Sequence, residues 1–137
     1  MQHLIQKRQE IEKLRTSSSI STVQAEQLGK SIASSWQRSN SAEIPKDRFA
    51  APISEGSMSQ GSALQHALSY CADELRHIAQ QSSMVVAVGD IGSTIIWSAS
   101  SRQMRNAAES VHFVEGGQWR EELVGTNALA LSLKTQQ

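Results

Sequence analysis

The stretch Met84-Val85-Val86-Ala87-Val88-Gly89-Asp90-Ile91-Gly92-Ser93-Thr94-Ile95-Ile96-Trp97-Ser98 decides the fold class. Residues 84–88 are a short apolar run rich in valine, the pattern of a buried strand. Residues 89–92 supply glycine and aspartate for a turn, and residues 94–98 return to β-branched and aromatic side chains. Two such runs joined by a short Gly/Asp loop read as an antiparallel hairpin. Just before it the period is 3.6 rather than two. Leu64, Ala67, Leu68, Cys71, Leu75, Ile78 and Ala79 follow the three-and-four spacing of one helix face, so residues 63–81 are expected to be a helix. Gln80-Gln81-Ser82-Ser83 closes it. A helix that hands over to a hairpin places the chain in the α/β (α+β) class.

Downstream, residues 101–110 read as a short helix. Residues 111–114 are a short strand or an extended lead-in, and residues 119–124 a turn or single helical turn. Gly125-Thr126-Asn127 then precedes a helix over residues 128–133. Thr126 or Asn127 is its natural N-cap, because a side-chain oxygen there accepts an otherwise unpaired backbone N–H. Upstream, residues 1–15 form a polar helix with Leu4, Ile11 and Leu14 on one stripe. A second helix runs from Ser21 or Thr22 to about Arg38, where Ser39-Asn40-Ser41 stops it. Both prolines and several serines fall in residues 40–62, a connector with little regular structure. Three regions follow: an N-terminal helical region (1–39), the connector (40–62) and an α+β region (63–137).

The chain has 137 residues, enough for one domain. Lys and Arg number 13 and Asp and Glu number 13, so the surplus of positive charge that phosphate-backbone binding needs is missing. No nucleic-acid contact by this chain is expected. The apolar share is 39%, with 22 serines and 14 glutamines, a polar composition. No apolar run reaches the roughly 18 residues of a membrane span, and the start lacks a signal-peptide pattern. A single cysteine, Cys71, fits a reducing cytoplasm and is expected as a buried helical thiol.

Catalytic chemistry finds no support in the spacing. There is no Gly-rich phosphate loop ending in Lys-Ser/Thr. His66 and His77 lie three helical turns apart, about 16 Å, too far to share a metal. Glu121 and Glu122 are neighbours and point apart on a helix, which argues against a paired-carboxylate site. No catalytic residue, metal ligand or cofactor is expected.

Two stretches stand out together: Ile32-Ala33-Ser34-Ser35-Trp36-Gln37-Arg38-Ser39, and residues 119–133, which begin Trp119-Arg120-Glu121-Glu122-Leu123-Val124-Gly125-Thr126-Asn127-Ala128. This pair resembles the N-terminal sensory region of sigma-54-dependent enhancer-binding transcription activators of the acetoin-catabolism and dihydroxyacetone-operon regulator type. That family has an Ile-x-x-Ser-Trp-x-Arg helix followed by a GAF domain with a Trp-x-Glu-x-x-Val-Gly-Thr-Asn-Ala segment. Trp119, Glu121 (or Glu122), Val124, Gly125, Thr126, Asn127 and Ala128 carry the match, and the resemblance covers residues 20–133.

The resemblance implies a partial GAF-like domain that binds a small-molecule effector or a regulatory protein. It would thereby restrain or release an ATPase and a DNA-binding region outside these residues. The later strands of a GAF domain also fall outside them, so the chain is expected to be a fragment. Trp97, Phe113, Trp119, Thr126 and Asn127 are the candidate ligand-binding residues, since the free N–H groups of a helix start favour an anionic or carbonyl ligand. The competing reading is a dimerisation or protein-interaction module without a pocket. A small enzyme using Cys71 or a histidine is the third. The unpaired edge of a two-stranded hairpin invites pairing with another chain, so a homodimer is expected. Packing of the helix face, with Trp36 against the rest of the chain, completes the picture.

Overall fold

A computed structural model describes residues 29–45, 50–54 and 63–136, together with Ile5, Gln6, Gln9 and Lys13. Apart from Ile5, Gln6, Gln9 and Lys13, which are helical, the expected helix over residues 1–15 lies outside the described residues, as do the start of the second near Ser21 and parts of the connector. The elements run in the order α1 (Lys30–Ser41), α2 (Ala63–Gln81), β1 (Val85–Gly89), β2 (Ile95–Ser100), α3 (Arg105–Ser110), α4 (Glu121–Val124) and α5 (Ala128–Thr135). The fold is α+β: among the described residues, helices accompany one two-stranded antiparallel sheet.

Helix α2 spans the residues its periodicity predicts. It lies against both strands and buries Leu68 and Ala79, with Gln65, Ala72 and Leu75 half-buried on the same face. Those five positions alternate three and four apart, which is one helix face. Cys71 is off that face and exposed, a correction to the buried thiol expected. The apolar pattern of α2 is wider than the stripe it buries, and Leu64, Ala67, Cys71 and Ile78 fall on the part left outside.

The hairpin pairs Val85 with Ser100, Val88 with Trp97 and Gly89 with Ile95. Ile96 is therefore unopposed, a bulge that turns the strand as it enters the turn. Asp90 shapes the turn with its side chain: Oδ1 accepts the N–H of Gly92 at 2.8 Å and of Thr94 at 2.9 Å. Ile91 is left at the tip, 96% exposed.

The sheet does not end at β2. Ile95 is fully buried, and its outward N–H and C=O bond to Gly117 and Gly116. Thr94 bridges Gln118, and Ile53 bridges Gly117 on the far side. Part of the connector is thus a rudimentary outer strand, where little regular structure was expected. Gly117 is required there, because a Cβ would collide with the backbone oxygen of His112. Farther along β2, the N–H of Ser98 donates to Glu115 Oε1 at 3.1 Å.

Two further expectations change. Residues 111–114 are a turn, not a strand. His112 adopts φ of 56° and donates from Nδ1 to the carbonyl of Ala51 at 2.6 Å, which ties the connector to this turn. Helix α1 continues through Ser39-Asn40-Ser41 rather than stopping at Arg38. The Ser41 hydroxyl bonds back to the Gln37 carbonyl one turn earlier, so it supports the helix end. Small side chains dominate the core: Ala33, Ala51, Ala79, Ala108 and Ala130 are buried beside Leu68 and Ile95. Alanine lets backbones approach closely, which compensates for the low apolar content.

Candidate functional site

The two stretches singled out by sequence meet in space. Ser35, Arg38 and Ser39 lie three and four residues apart, on the face of α1 that meets α4 and α5. Ser35 is fully buried and donates to Thr126 Oγ1 at 2.8 Å; the Ser39 and Thr126 hydroxyls are 3.3 Å apart. Arg38 grips Glu121 with both prongs of its guanidinium, Nε to Oε1 at 2.7 Å and Nη2 to Oε2 at 3.0 Å. Lys134, near the end of α5, stands 3.3 Å from Glu121 Oε2 and 3.4 Å from Glu122 Oε1.

Glu121 is only 3% exposed, whereas Arg38 is 45% and Lys134 41% exposed. Burial alone would push the Glu121 carboxyl up. Hydrogen bonds from Arg38 and Lys134, with their charges, overcome that and hold it below the usual carboxylate range. The same contact raises Arg38. Glu122 is also lowered, chiefly by a hydrogen bond from its own backbone and then by Lys134, against the opposing effect of burial. The two glutamates, expected to point apart as helical neighbours, instead both reach Lys134, although only Glu121 is buried. Glu122 stays in water.

Gly125 links α4 to α5 at φ of 80°, in the left-handed region that favours glycine. Asn127 then caps α5. Its Oδ1 accepts the N–H of Ala130 at 3.0 Å, while Nδ2 donates to the carbonyls of Trp119 at 2.8 Å and Gly125 at 2.9 Å. Trp119 packs edge-to-face on Phe113, centroids 5.1 Å apart at 82°, and its Nε1 donates to the His112 carbonyl.

Four of the five predicted residues therefore form one connected cluster: Phe113 on Trp119, Trp119 to Asn127, and Thr126 beside Asn127. Trp97 sits half-buried in β2 opposite Val88. The polar atoms of Thr126 and Asn127 are engaged inside the fold. A cleft of about 130 Å³ opens between β2 and α3, and Phe113 lines it together with Ser98, Ser100, Arg105 and Glu109. Sequence reasoning missed Ser35, Arg38 and Glu121 as partners. The available signal was the one-face spacing of Ser35, Arg38 and Ser39 next to an Arg-complementary glutamate in the second stretch. Among the described residues, no group of three His, Cys, Asp or Glu is placed to hold a metal ion, and no helix is long and apolar enough to cross a membrane.

No family model matches the chain, and no solved structure matches it significantly. The chain is similar to an uncharacterized 47.3 kDa protein encoded in the thcA 5′ region of Rhodococcus erythropolis, 27% identical over 107 residues. The match takes in 74% of this chain and 24% of that protein, so the chain spans about a quarter of its relative's length.

Proposed function

We propose that this chain is a non-catalytic sensory and regulatory module of a bacterial, cytoplasmic transcription regulator. In this reading it is a partial GAF-like domain, like the activator sensory regions its two motifs resemble. It takes up a small-molecule effector or a regulatory protein and passes the change to an ATPase and DNA-binding region elsewhere, without itself touching nucleic acid. The observation that carries the reading is the latch of Arg38 on buried Glu121. The two motif stretches, 83 residues apart at this pair, converge on it. A regulatory module needs an element with two arrangements, and a signal acts by favouring one of them. Helix α1 fits that role, since the contacts that join it to α4 and α5 include a half-exposed ion pair and two serine hydroxyls.

Hydrogen exchange resolved along the chain tests this. The α1 amides are expected to open at lower free energy than the β1 and β2 amides, and Arg38→Ala to speed exchange in α1 selectively. Exchange of α1 and the strands in one common event, in both proteins, would make α1 an ordinary part of the core and sink the reading.

A dimerisation module without a pocket is the second reading. It is favoured by the exposed apolar side chains on α2: Leu64 at 39%, Tyr70 at 81% and Ile78 at 41%. Sedimentation separates the two. A homodimer that dissociates in L64E/I78E, together with no response to any metabolite, supports the module.

A further inference from the structure

We propose that the cleft between β2 and α3 binds a small zwitterion of the α-amino-acid class. The inference rests on the sensory reading above and names its effector. Arg105 and Glu109 both line the cleft and are four residues apart on α3, one turn or about 6 Å along the axis. Opposite charges at that spacing commonly pair. Here they do not, and among the described residues neither side chain has a hydrogen bond or ion pair, whereas Arg76 with Asp73 and Lys134 with Glu122 do pair. A cation and an anion thus stand one turn apart at the exposed rim of the cleft, neither engaged by another side chain.

The opposite wall matches them. Ser98 and Ser100 line it, two residues apart on the same face of β2. The Ser98 N–H points away from β1 to Glu115, and Ser101 donates inward to Met84. The Ser100 N–H therefore points outward, as strand alternation requires. Val85, Ala108 and Phe113 supply the apolar part of the lining.

The cavity, about 130 Å³, is below the roughly 300–1,000 Å³ of pockets for drug-sized ligands. A molecule of a few heavy atoms suits that space. A carboxylate and an ammonium on one carbon reach Arg105 and Glu109 together, and the carboxylate's second oxygen takes a serine hydroxyl or the Ser100 N–H. A mono-ion satisfies one member of the pair and leaves the other as it was.

The test is calorimetric titration and thermal melting of the whole chain with glycine and L-alanine, with acetate and methylammonium as the two halves. The amino acids are expected to bind saturably and raise the melting temperature, and the halves to bind at least tenfold more weakly. Arg105→Gln and Glu109→Gln, both surface changes, should each weaken amino-acid binding about tenfold or more, the loss of one charge-assisted contact. The proposal is overturned if neither amino acid binds at millimolar concentration, if acetate binds as well as glycine, or if both variants bind like the parent. Failure here leaves the sensory reading standing when α1 still opens locally in hydrogen exchange. Failure of that exchange test removes the regulatory reading whatever the cleft binds.

Discussion

Arg38→Ala takes away two charge-assisted hydrogen bonds, at 2.7 and 3.0 Å, from a carboxylate that is 3% exposed. Removing one partner of a fully buried ion pair costs about 3–5 kcal/mol, while an exposed pair is worth about 0–1 kcal/mol. This pair lies between those limits. Glu121 is buried, yet Arg38 is 45% exposed, so water enters where the guanidinium stood, and Lys134 stays at 3.3 Å. The expected loss is about 2 kcal/mol, which for a chain of this size lowers the melting temperature by roughly 8 °C. Glu121→Ala removes the buried charge itself and leaves Arg38 and Lys134 free to turn to water, so it should cost less, about 1 kcal/mol. Urea unfolding followed by circular dichroism, on both single variants and the double variant, gives the coupling energy. A coupling below about 0.5 kcal/mol, the scatter expected of independent sites, would show that Arg38 and Glu121 do not act as a latch.

Because the Glu121 carboxyl is held below its ordinary value of 4.5, the unfolded chain takes up the proton first on acidification. Its contribution to stability is complete above that value and is lost as pH falls through the lowered one; Glu121→Gln should be less stable than the parent at neutral pH, with the gap closing in acid. Gly117→Ala forces a Cβ into the His112 carbonyl, which is backbone and cannot swing aside, so a loss above about 3 kcal/mol is expected by urea titration. Asn127→Ala removes the α5 cap and two donors to carbonyls, and thermal melting should report a loss of about 2 kcal/mol. Cys71 is exposed, so a thiol reagent should titrate one equivalent in the folded protein with the circular dichroism spectrum unchanged.

Local rules carried most of the fold. The 63–81 helix, the hairpin and the capped helix each declare themselves through periodicity, turn residues or a cap, all of which act within a few residues. Gly125 and Asn127 behave as their chemistry suggests. What stayed hidden depends on distance along the chain. Nothing near Arg38 says that its partner is Glu121, and nothing near residues 50–54 says that they pair with residues 116–118. Cys71 was misplaced because the apolar pattern of α2 is broader than the surface the small sheet can cover. Four of the five candidate residues meet as a cluster, and the N-cap read from the sequence is Asn127, whose Oδ1 accepts the Ala130 N–H.

The hydrogen bond from the Ser98 N–H to Glu115 has a consequence for the behaviour of the chain in concentrated solution. A strand with free amides on one side is a template on which another chain can lay itself down. A carboxylate has acceptors but no donor, so it occupies the amide without offering anything for a next strand to copy. Growth by stacking is halted at that rung by one side chain, and the acidic charge keeps approaching carbonyls away. The Ile96 bulge adds a bend that a flat incoming strand cannot follow. Together they act as a stopper at the rim of the sheet and make that stretch of the β2 edge a poor template for an added strand.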